Sequence, residues 1–259
     1  MNPNIKAVFI DIDGTLYSHT TSSIPPASRQ VIEQARHNGI KVIAATGRHM
    51  GEIAQLGIDI ELDGWITLNG ALCLDEKGVF WSDPLESDDL KQLLCCMEKH
   101  PFPCQFMEKE LMYINMKDEE VERHLDAIHT PYPEIADPAR ALHNDTYMII
   151  PWVSEKIWKE IAAQMKHIKY TRWNDLAADV MSAVCGKKRG VLAACAHYGI
   201  DQAETMAIGD GPNDVELFEA CAVSVAMGNA PKSVKQAAGI ITDNIDQGGF
   251  EKIFREYIL

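Results

Sequence analysis

Two carboxylates separated by one residue, Asp11 and Asp13, follow directly on the apolar run Ala7-Val8-Phe9-Ile10 and precede Gly14-Thr15-Leu16. Acids at the exit of a buried strand are costly unless a cation holds them. Mg²⁺ is the natural partner, being a hard octahedral ion that prefers carboxylate, carbonyl and water oxygens and keeps positions open for substrate phosphate. Alternation along an extended backbone sends both side chains to the same side, and Gly14 permits a tight turn after them. Such a pair can divide its labour: one carboxylate attacks phosphorus, and the other protonates the departing oxygen and later activates water. The plainer alternative is a turn in which an aspartate caps a helix.

Three further clusters carry groups of matching chemistry. Thr46-Gly47-Arg48 offers a hydroxyl and an approachable backbone N–H to phosphate oxygens, although Thr-Gly after a strand is also an ordinary turn. Lys187-Lys188-Arg189 sits where a helix should begin, and cations there oppose the helix dipole unless an anion is bound. A solvated basic patch accounts for two of the three and leaves room for one inward-pointing lysine. Gly209-Asp210-Gly211-Pro212-Asn213-Asp214 places two acids and an amide before a helix that Pro212 can start, a set able to ligate a metal or merely to cap.

The elements that would position these groups read as β-α-β punctuation. Ala7–Ile10, Val42–Ala45 and Thr205–Ile208 are continuous apolar runs, the pattern of strands covered on both faces of a parallel sheet. They end at Asp11, Thr46 and Asp210, and open parallel sheets bind ligands at the carboxyl ends of their strands. Helices are expected over 27–38, closed by Gly39, and 188–198, closed by Gly199. Residues 222–227 read as another strand, and 65–74 with 79–81 as a hairpin turned at 75–78. From residue 82 to 183 the texture changes. Helices are expected over 87–99, 118–128 and 154–165, with strands over 105–107, 111–116 and 147–150 and near Tyr170 and Val180. Pro101-Phe102-Pro103 and Pro131-Tyr132-Pro133 read as rigid turns. The fold class expected is α/β, a Rossmann-like parallel-sheet core from 1–81 plus 184–259, with a second α/β unit inserted over 82–183.

The bulk properties narrow the partners. The chain has 259 residues, 46% of them hydrophobic and 24% charged, an ordinary globular composition. Its formal net charge of -14 disfavours nucleic acid and anionic membrane surfaces. A phosphorylated substrate is compatible with that charge only where a divalent metal and local cations reverse the potential. The seven cysteines lack zinc or disulfide-framework spacing, and no signal peptide or membrane span is evident, so reduced thiols and cytoplasmic residence are expected. Among the nine histidines, His19, His49 and His143 read as surface or loop residues, and Trp152 and Trp158 as core. Nothing in the sequence speaks to oligomeric state.

Taken together, Asp11 to Leu16 (DIDGTL), Ala45 to Arg48 (ATGR), the lysine of Gly186 to Gly190 (GKKRG) and Gly209 to Asp214 (GDGPND) occur in the order of a known family. The chain resembles the haloacid dehalogenase-like hydrolases, and among them the Cof-type sugar-phosphate phosphatases. Asn69-Gly70-Ala71 and the segment 225–230 are similar to that subfamily's secondary signatures. The resemblance implies that Asp11 is the nucleophile and Asp13 the general acid/base. Asp210, Asp11 and the backbone carbonyl of Asp13 would hold Mg²⁺, and Thr46, Gly47, Lys187 and Asn213 the phosphate. Lys187 is chosen over Lys188 because Gly190 stands at the family's three-residue offset. Asp214 would orient the metal's ligands, Arg48 and Asn69 are candidate substrate contacts, and the inserted unit over 82–183 would be an α/β cap domain on a Rossmann-like hydrolase core.

The implied activity is hydrolysis of a small phosphorylated metabolite, a sugar phosphate first among them, through an aspartyl phosphate. Two alternatives stay open. One is a sugar phosphomutase with the same core, which differs only in what attacks the aspartyl phosphate. The other is a phospho-accepting signalling domain, which the long insertion and the second acid at Asp13 disfavour.

Overall fold

The computed structural model describes residues 4–127 and 132–259. Ile128, the expected end of one helix, and Pro131 of the expected Pro-Tyr-Pro turn lie outside them. In chain order the first elements are β1 (Ala7–Ile10), α1 (Pro26–His37), β2 (Lys41–Ala45), α2 (Met50–Gln55), β3 (Gly64–Thr67), β4 (Leu72–Asp75) and β5 (Gly78–Ser82). There follow α3 (Ser87–Lys99), β6 (Cys104–Met107), β7 (Met112–Ile114), α4 (Glu119–Ala127), β8 (Glu134–Ile135), β9 (Met148–Pro151), α5 (Glu155–Ala162), β10 (Ile168–Arg172) and β11 (Ala178–Ser182). The chain closes with α6 (Lys187–Tyr198), β12 (Thr205–Gly209), α7 (Val215–Ala220), β13 (Val223–Ala226), α8 (Lys232–Ala237), β14 (Ile240–Ile241) and α9 (Gly249–Tyr257).

These elements form two compact units. The first comprises residues 1–48, 53–81 and 186–259, and the second 49–52 and 82–185. The chain therefore crosses between units not only around the large insertion but also just after Arg48 and just before Ile53.

The first unit is built on an eight-stranded sheet of order β14-β13-β12-β1-β2-β3-β4-β5, parallel from β14 to β3, with β4 antiparallel to β3. Its strands are apolar on both sides because both sides are covered. Val8 and Ile10 of β1 pack with Val31 and Ile32 of α1 and Phe250 and Phe254 of α9. Ala7 and Phe9 pack on the opposite face with Val191 and Ala194 of α6 and Leu217 of α7. Because the chain runs from β1 to β2 on one side and returns to β12 on the other, the strand order reverses at β1. A crevice opens outside the carboxyl ends of strands at such a switch point, and Asp11, Thr46 and Asp210 all lie there.

The expected first strand of the hairpin, 65–74, is instead two strands folded on each other. Leu68, Asn69 and Gly70 all have positive φ (51°, 53° and 91°) and reverse the chain between β3 and β4. Leu68 is apolar and fully buried, so hydropathy runs unbroken through the turn.

The second unit has a six-stranded sheet of order β10-β11-β9-β6-β7-β8, antiparallel except between β7 and β8. Leu90, Leu93 and Met97 of α3 and Trp158 and Ile161 of α5 pack on Phe106, Tyr113, Ile149 and Val180. Trp152 and Trp158 are buried, as expected. His49 lies in a loop, as expected, but its side chain is only 3% exposed. Its Nε2 is 2.9 Å from the carbonyl of Glu108 and 3.1 Å from that of Lys109, while Nδ1 accepts from the Gly51 N–H at 2.9 Å. A lone histidine beside Arg48 shows no periodicity that would betray this burial.

Candidate active site

Each group at the switch point is delivered by the end of a strand or the start of a helix in the first unit. Asp11 follows β1, its N–H donating to the Ile208 carbonyl of β12 at 2.9 Å. Lys187 opens α6 and is completely buried, whereas Lys188 and Arg189 point to solvent. The Lys187 ammonium donates to Asp11 Oδ1 and to Asp214 Oδ1, both at 2.6 Å. The other oxygen of Asp214, Oδ2, accepts from the backbone N–H groups of Asp210 (2.9 Å) and Gly211 (2.8 Å). Asp214 thus ties the lysine to the loop that carries Asp210. The fit is tight, since a Cβ on Gly209 would stand 2.5 Å from the Asp214 carboxyl carbon.

Asp210 is held from two sides by neutral donors. Thr15 Oγ1 donates to its Oδ1 at 2.9 Å, and Asn229 Nδ2 donates to its Oδ2 at 3.0 Å. The same Asn229 amide reaches the Gly14 carbonyl at 2.8 Å. Gly14 has φ 76°, and a Cβ there would come within 2.4 Å of Asp210 Oδ2, so two separate reasons demand glycine. Sequence reasoning assigned no role to Thr15 or Asn229. The signal was present in the small polar residues directly after an Asp pair and after the apolar run ending at Met227.

Asp13 is gripped by Arg48, whose Nε donates to Oδ2 at 2.7 Å and whose second terminal nitrogen donates to Oδ1 at 2.8 Å, a bidentate fork. His19 Nε2 lies 3.0 Å from Asp13 Oδ1, so this exposed histidine also belongs to the site's rim. Thr46 is buried, its N–H paired with the Ile66 carbonyl at 2.8 Å and its Oγ1 accepting from the Arg48 N–H at 3.1 Å. A Cβ on Gly47 would lie 3.2 Å from the Asn69 amide. Asn69 Oδ1 in turn accepts from Asn213 Nδ2 at 3.0 Å.

The electrostatics follow from burial and crowding. Burial, reinforced by the Asp214 charge and opposed by Lys187, pushes Asp11 well above the usual carboxylate range. Burial likewise pushes Asp210 up to about 6, with the Thr15 hydrogen bond pulling the other way. Burial disfavours the Lys187 ammonium, but the adjoining Asp11 and Asp214 carboxylates outweigh it and hold the lysine above its ordinary value. One oxygen from each of Asp11, Asp210 and Asp214 lies within 4.8 Å of the others. Three carboxylates around one ammonium leave a surplus of negative charge that a divalent cation fits.

Comparison with known proteins places the whole chain among known hydrolases. The chain is 27% identical over 97% of its length, and 97% of the relative's, to "Putative phosphatase YkrA" of Bacillus subtilis. It superposes on the HAD subclass IIB sugar phosphatase BT4131 with a TM-score of 0.82 and 31% identity, over 97% of this chain and 98% of that one. It also superposes on BT1666 of Bacteroides thetaiotaomicron, a phosphatase of the haloalkanoate enzyme superfamily, with a TM-score of 0.88 and 27% identity over 98% and 95% of the two chains. The haloacid dehalogenase-like hydrolase profile matches residues 8–254, from β1 into α9. This protein therefore belongs to the haloacid dehalogenase-like hydrolases and has the fold of their phosphatases.

Proposed function

We propose that the protein is a Mg²⁺-dependent phosphatase that hydrolyses small phosphorylated metabolites, sugar phosphates first among them, through a phosphoryl group carried on Asp11. The observation that carries this reading is the buried Lys187 bridging Asp11 and Asp214, with Asp210 in the same cluster at a strand-order reversal. Lys187 neutralises Asp11 only in part, as a nucleophile that must be held yet remain able to attack requires.

Asp11 and Asp210, with the backbone carbonyl of Asp13, would hold Mg²⁺. Asp214 would orient them instead, because it is fully buried with its oxygens held by the Lys187 ammonium and the loop amides, whereas Asp210 is partly exposed and held by neutral side chains. When bound, the cation would neutralise the carboxylates and the phosphoryl oxygens and so lower the barrier to an anionic nucleophile. A carboxylate oxygen of Asp11 attacks phosphorus while the P–O bond to the leaving group breaks. Asp13 gives its proton to the departing oxygen, and then removes one from a water whose oxygen attacks phosphorus and frees Asp11 and inorganic phosphate.

The Arg48 fork donates to both oxygens of Asp13, so its release would free Asp13 for these proton transfers. Arg48 is thus placed to move from Asp13 to the substrate's anionic oxygens as they arrive. Thr46, Gly47, Asn213 and Lys187 would cradle the phosphoryl group. The second unit would be the cap domain that the family resemblance implies.

No described helix is long and apolar enough to cross a membrane. No disulfide joins any of the seven cysteines, which suits a reducing compartment such as the cytoplasm.

The test is phosphate release from a panel of sugar, nucleotide and cofactor phosphates, with and without Mg²⁺, for the wild type and Asp11→Asn. Turnover is expected to require both the metal and Asp11. Turnover that survives Asp11→Asn in metal-free buffer would overturn the reading.

A further inference from the structure

The turn between β3 and β4 is shaped in a way that its own packing does not explain. Leu68, Asn69 and Gly70 are consecutive residues with positive φ, and a left-handed run containing a leucine is strongly disfavoured in isolation. Strain of this kind persists only where the surroundings over-determine it, and it concentrates at functional sites.

Here the turn is pinned to three parts of the site at once. Its Leu68 N–H donates to the Arg48 carbonyl at 3.2 Å, and its Asn69 N–H to the Thr46 carbonyl at 3.0 Å. Gly70 lies against the entry to α6, where a Cβ would meet the Gly186 carbonyl oxygen at 2.1 Å and the Lys187 nitrogen at 3.2 Å. The Asn69 side chain, 8% exposed, accepts from Asn213.

We infer that the left-handed turn 68–70 is the positioning element of the phosphate site, and that Asn69 is its positioning residue. The turn sets the mutual register of Thr46-Gly47-Arg48, Lys187 and Asn213, which arrive from sequence positions far apart. Asn69 suits the task because asparagine tolerates a left-handed backbone and also carries an acceptor for the Asn213 amide. With its Oδ1 spent on that amide, Asn69 acts through Asn213. This inference rests on the phosphatase reading and deepens it.

The discriminating variants are Asn69→Gly, which keeps the left-handed backbone easy but removes the side chain, Asn69→Ala, Asn213→Ala, and the double variant Asn69→Gly/Asn213→Ala. Steady-state turnover of p-nitrophenyl phosphate and calorimetric binding of inorganic phosphate, both with Mg²⁺, are read alongside melting temperature. Asn69→Gly is expected to fold and to lose about three- to tenfold in both kcat/KM and phosphate affinity, the value of one neutral hydrogen bond. Asn213→Ala should lose at least as much, since it also removes a phosphate contact, and the double variant no more than Asn213→Ala alone, because Asn69 acts through Asn213. Asn69→Ala should match Asn69→Gly per folded molecule but melt lower, since alanine bears the left-handed strain that glycine avoids.

Wild-type kcat/KM and phosphate affinity in Asn69→Gly would overturn the inference. So would losses that multiply in the double variant. If the wild type releases no phosphate from any substrate, the phosphatase reading itself fails, and the phosphate affinities of the variants still judge the turn.

Discussion

Replacing Lys187 with methionine keeps the unbranched stem and removes the charge between Asp11 and Asp214. Lys187 is wholly buried, makes two hydrogen bonds of 2.6 Å, and is the cation shared by two carboxylates of which Asp214 is also fully buried. Breaking a buried ion pair from one side costs about 3–5 kcal/mol, because the partner charge is left uncompensated in a poorly solvated place. For a chain of this size that is a fall in melting temperature on the order of 10 °C.

The penalty has a sign in pH. With the lysine gone, Asp11 loses the neighbouring charge that lowers it, and its folded-state pKa rises further. A raised carboxylate destabilises the fold at pH above its unfolded value of about 3.9, and the penalty fades as pH falls back through the folded value. The deficit of Lys187→Met should therefore be largest near neutrality and shrink in mild acid. It should also shrink in the double variant with Asp214→Asn, and on adding Mg²⁺, which replaces part of the missing charge. Urea denaturation in metal-free buffer, read by hydrogen exchange at β1 and β12, isolates the first unit. A loss under about 1 kcal/mol at neutral pH, the value of an exposed pair, would refute the reasoning. A deficit unchanged by Asp214→Asn would do so as well.

Other consequences are narrower. Gly190 packs so closely on β3 that a Cβ would stand 2.3 Å from Ile66 Cγ2. Gly190→Ala should cost about 1–3 kcal/mol by overpacking and lower phosphate affinity by shifting Lys187 one turn away, measured by denaturation and calorimetry. Because burial pushes Asp210 up to about 6 without a metal, protons compete with Mg²⁺ there. The rise in melting temperature on adding Mg²⁺ should be full at pH 7.5 and dwindle as pH drops below about 6; a shift equal at pH 5 and 7.5 would contradict this. In the second unit, Trp158 is fully buried against Tyr170 at 5.9 Å between ring centroids, with its Nε1 unpartnered. Trp158→Ala should cost about 3–5 kcal/mol of that unit's stability and Trp158→Phe distinctly less, by near-ultraviolet circular dichroism on denaturation.

Much of the first unit was legible because the physics that forms it is local. Continuous apolar runs mark strands covered on both faces, and the abrupt polar stops at Asp11, Thr46 and Asp210 mark their exposed ends. Gly199, at φ 66°, closes α6 as a glycine after a helix should. In the second unit, helix 87–99 has the expected bounds, and the other expected helices and strands appear with ends shifted by a few residues.

What escaped was set by partners distant in sequence. The reversal at 68–70 hides inside an apolar run, because its cause is hydrogen bonding to Thr46 and Arg48 rather than turn residues alone. The two-residue strand β8 has too little pattern to be seen. Arg48, read as a candidate substrate contact, is committed in this structure to Asp13, and only the fold brings those two side chains within a bidentate fork. Asp214 could be placed behind the metal's ligands by resemblance, but its bond to Lys187 joins residues from two different helix starts.

The most direct test of the central claim is to look for the phosphoryl group on Asp11. Asp13→Ala, mixed with p-nitrophenyl phosphate and Mg²⁺ and quenched in acid, should accumulate phosphorylated enzyme, because a good leaving group needs no proton while the water step loses its base. Peptide mass spectrometry is expected to find one phosphoryl group on the peptide containing Asp11, dependent on Mg²⁺ and abolished by Asp11→Asn. Turnover by the wild type with no phosphorylated enzyme in the quenched variant, or with the label on another residue, would contradict the account.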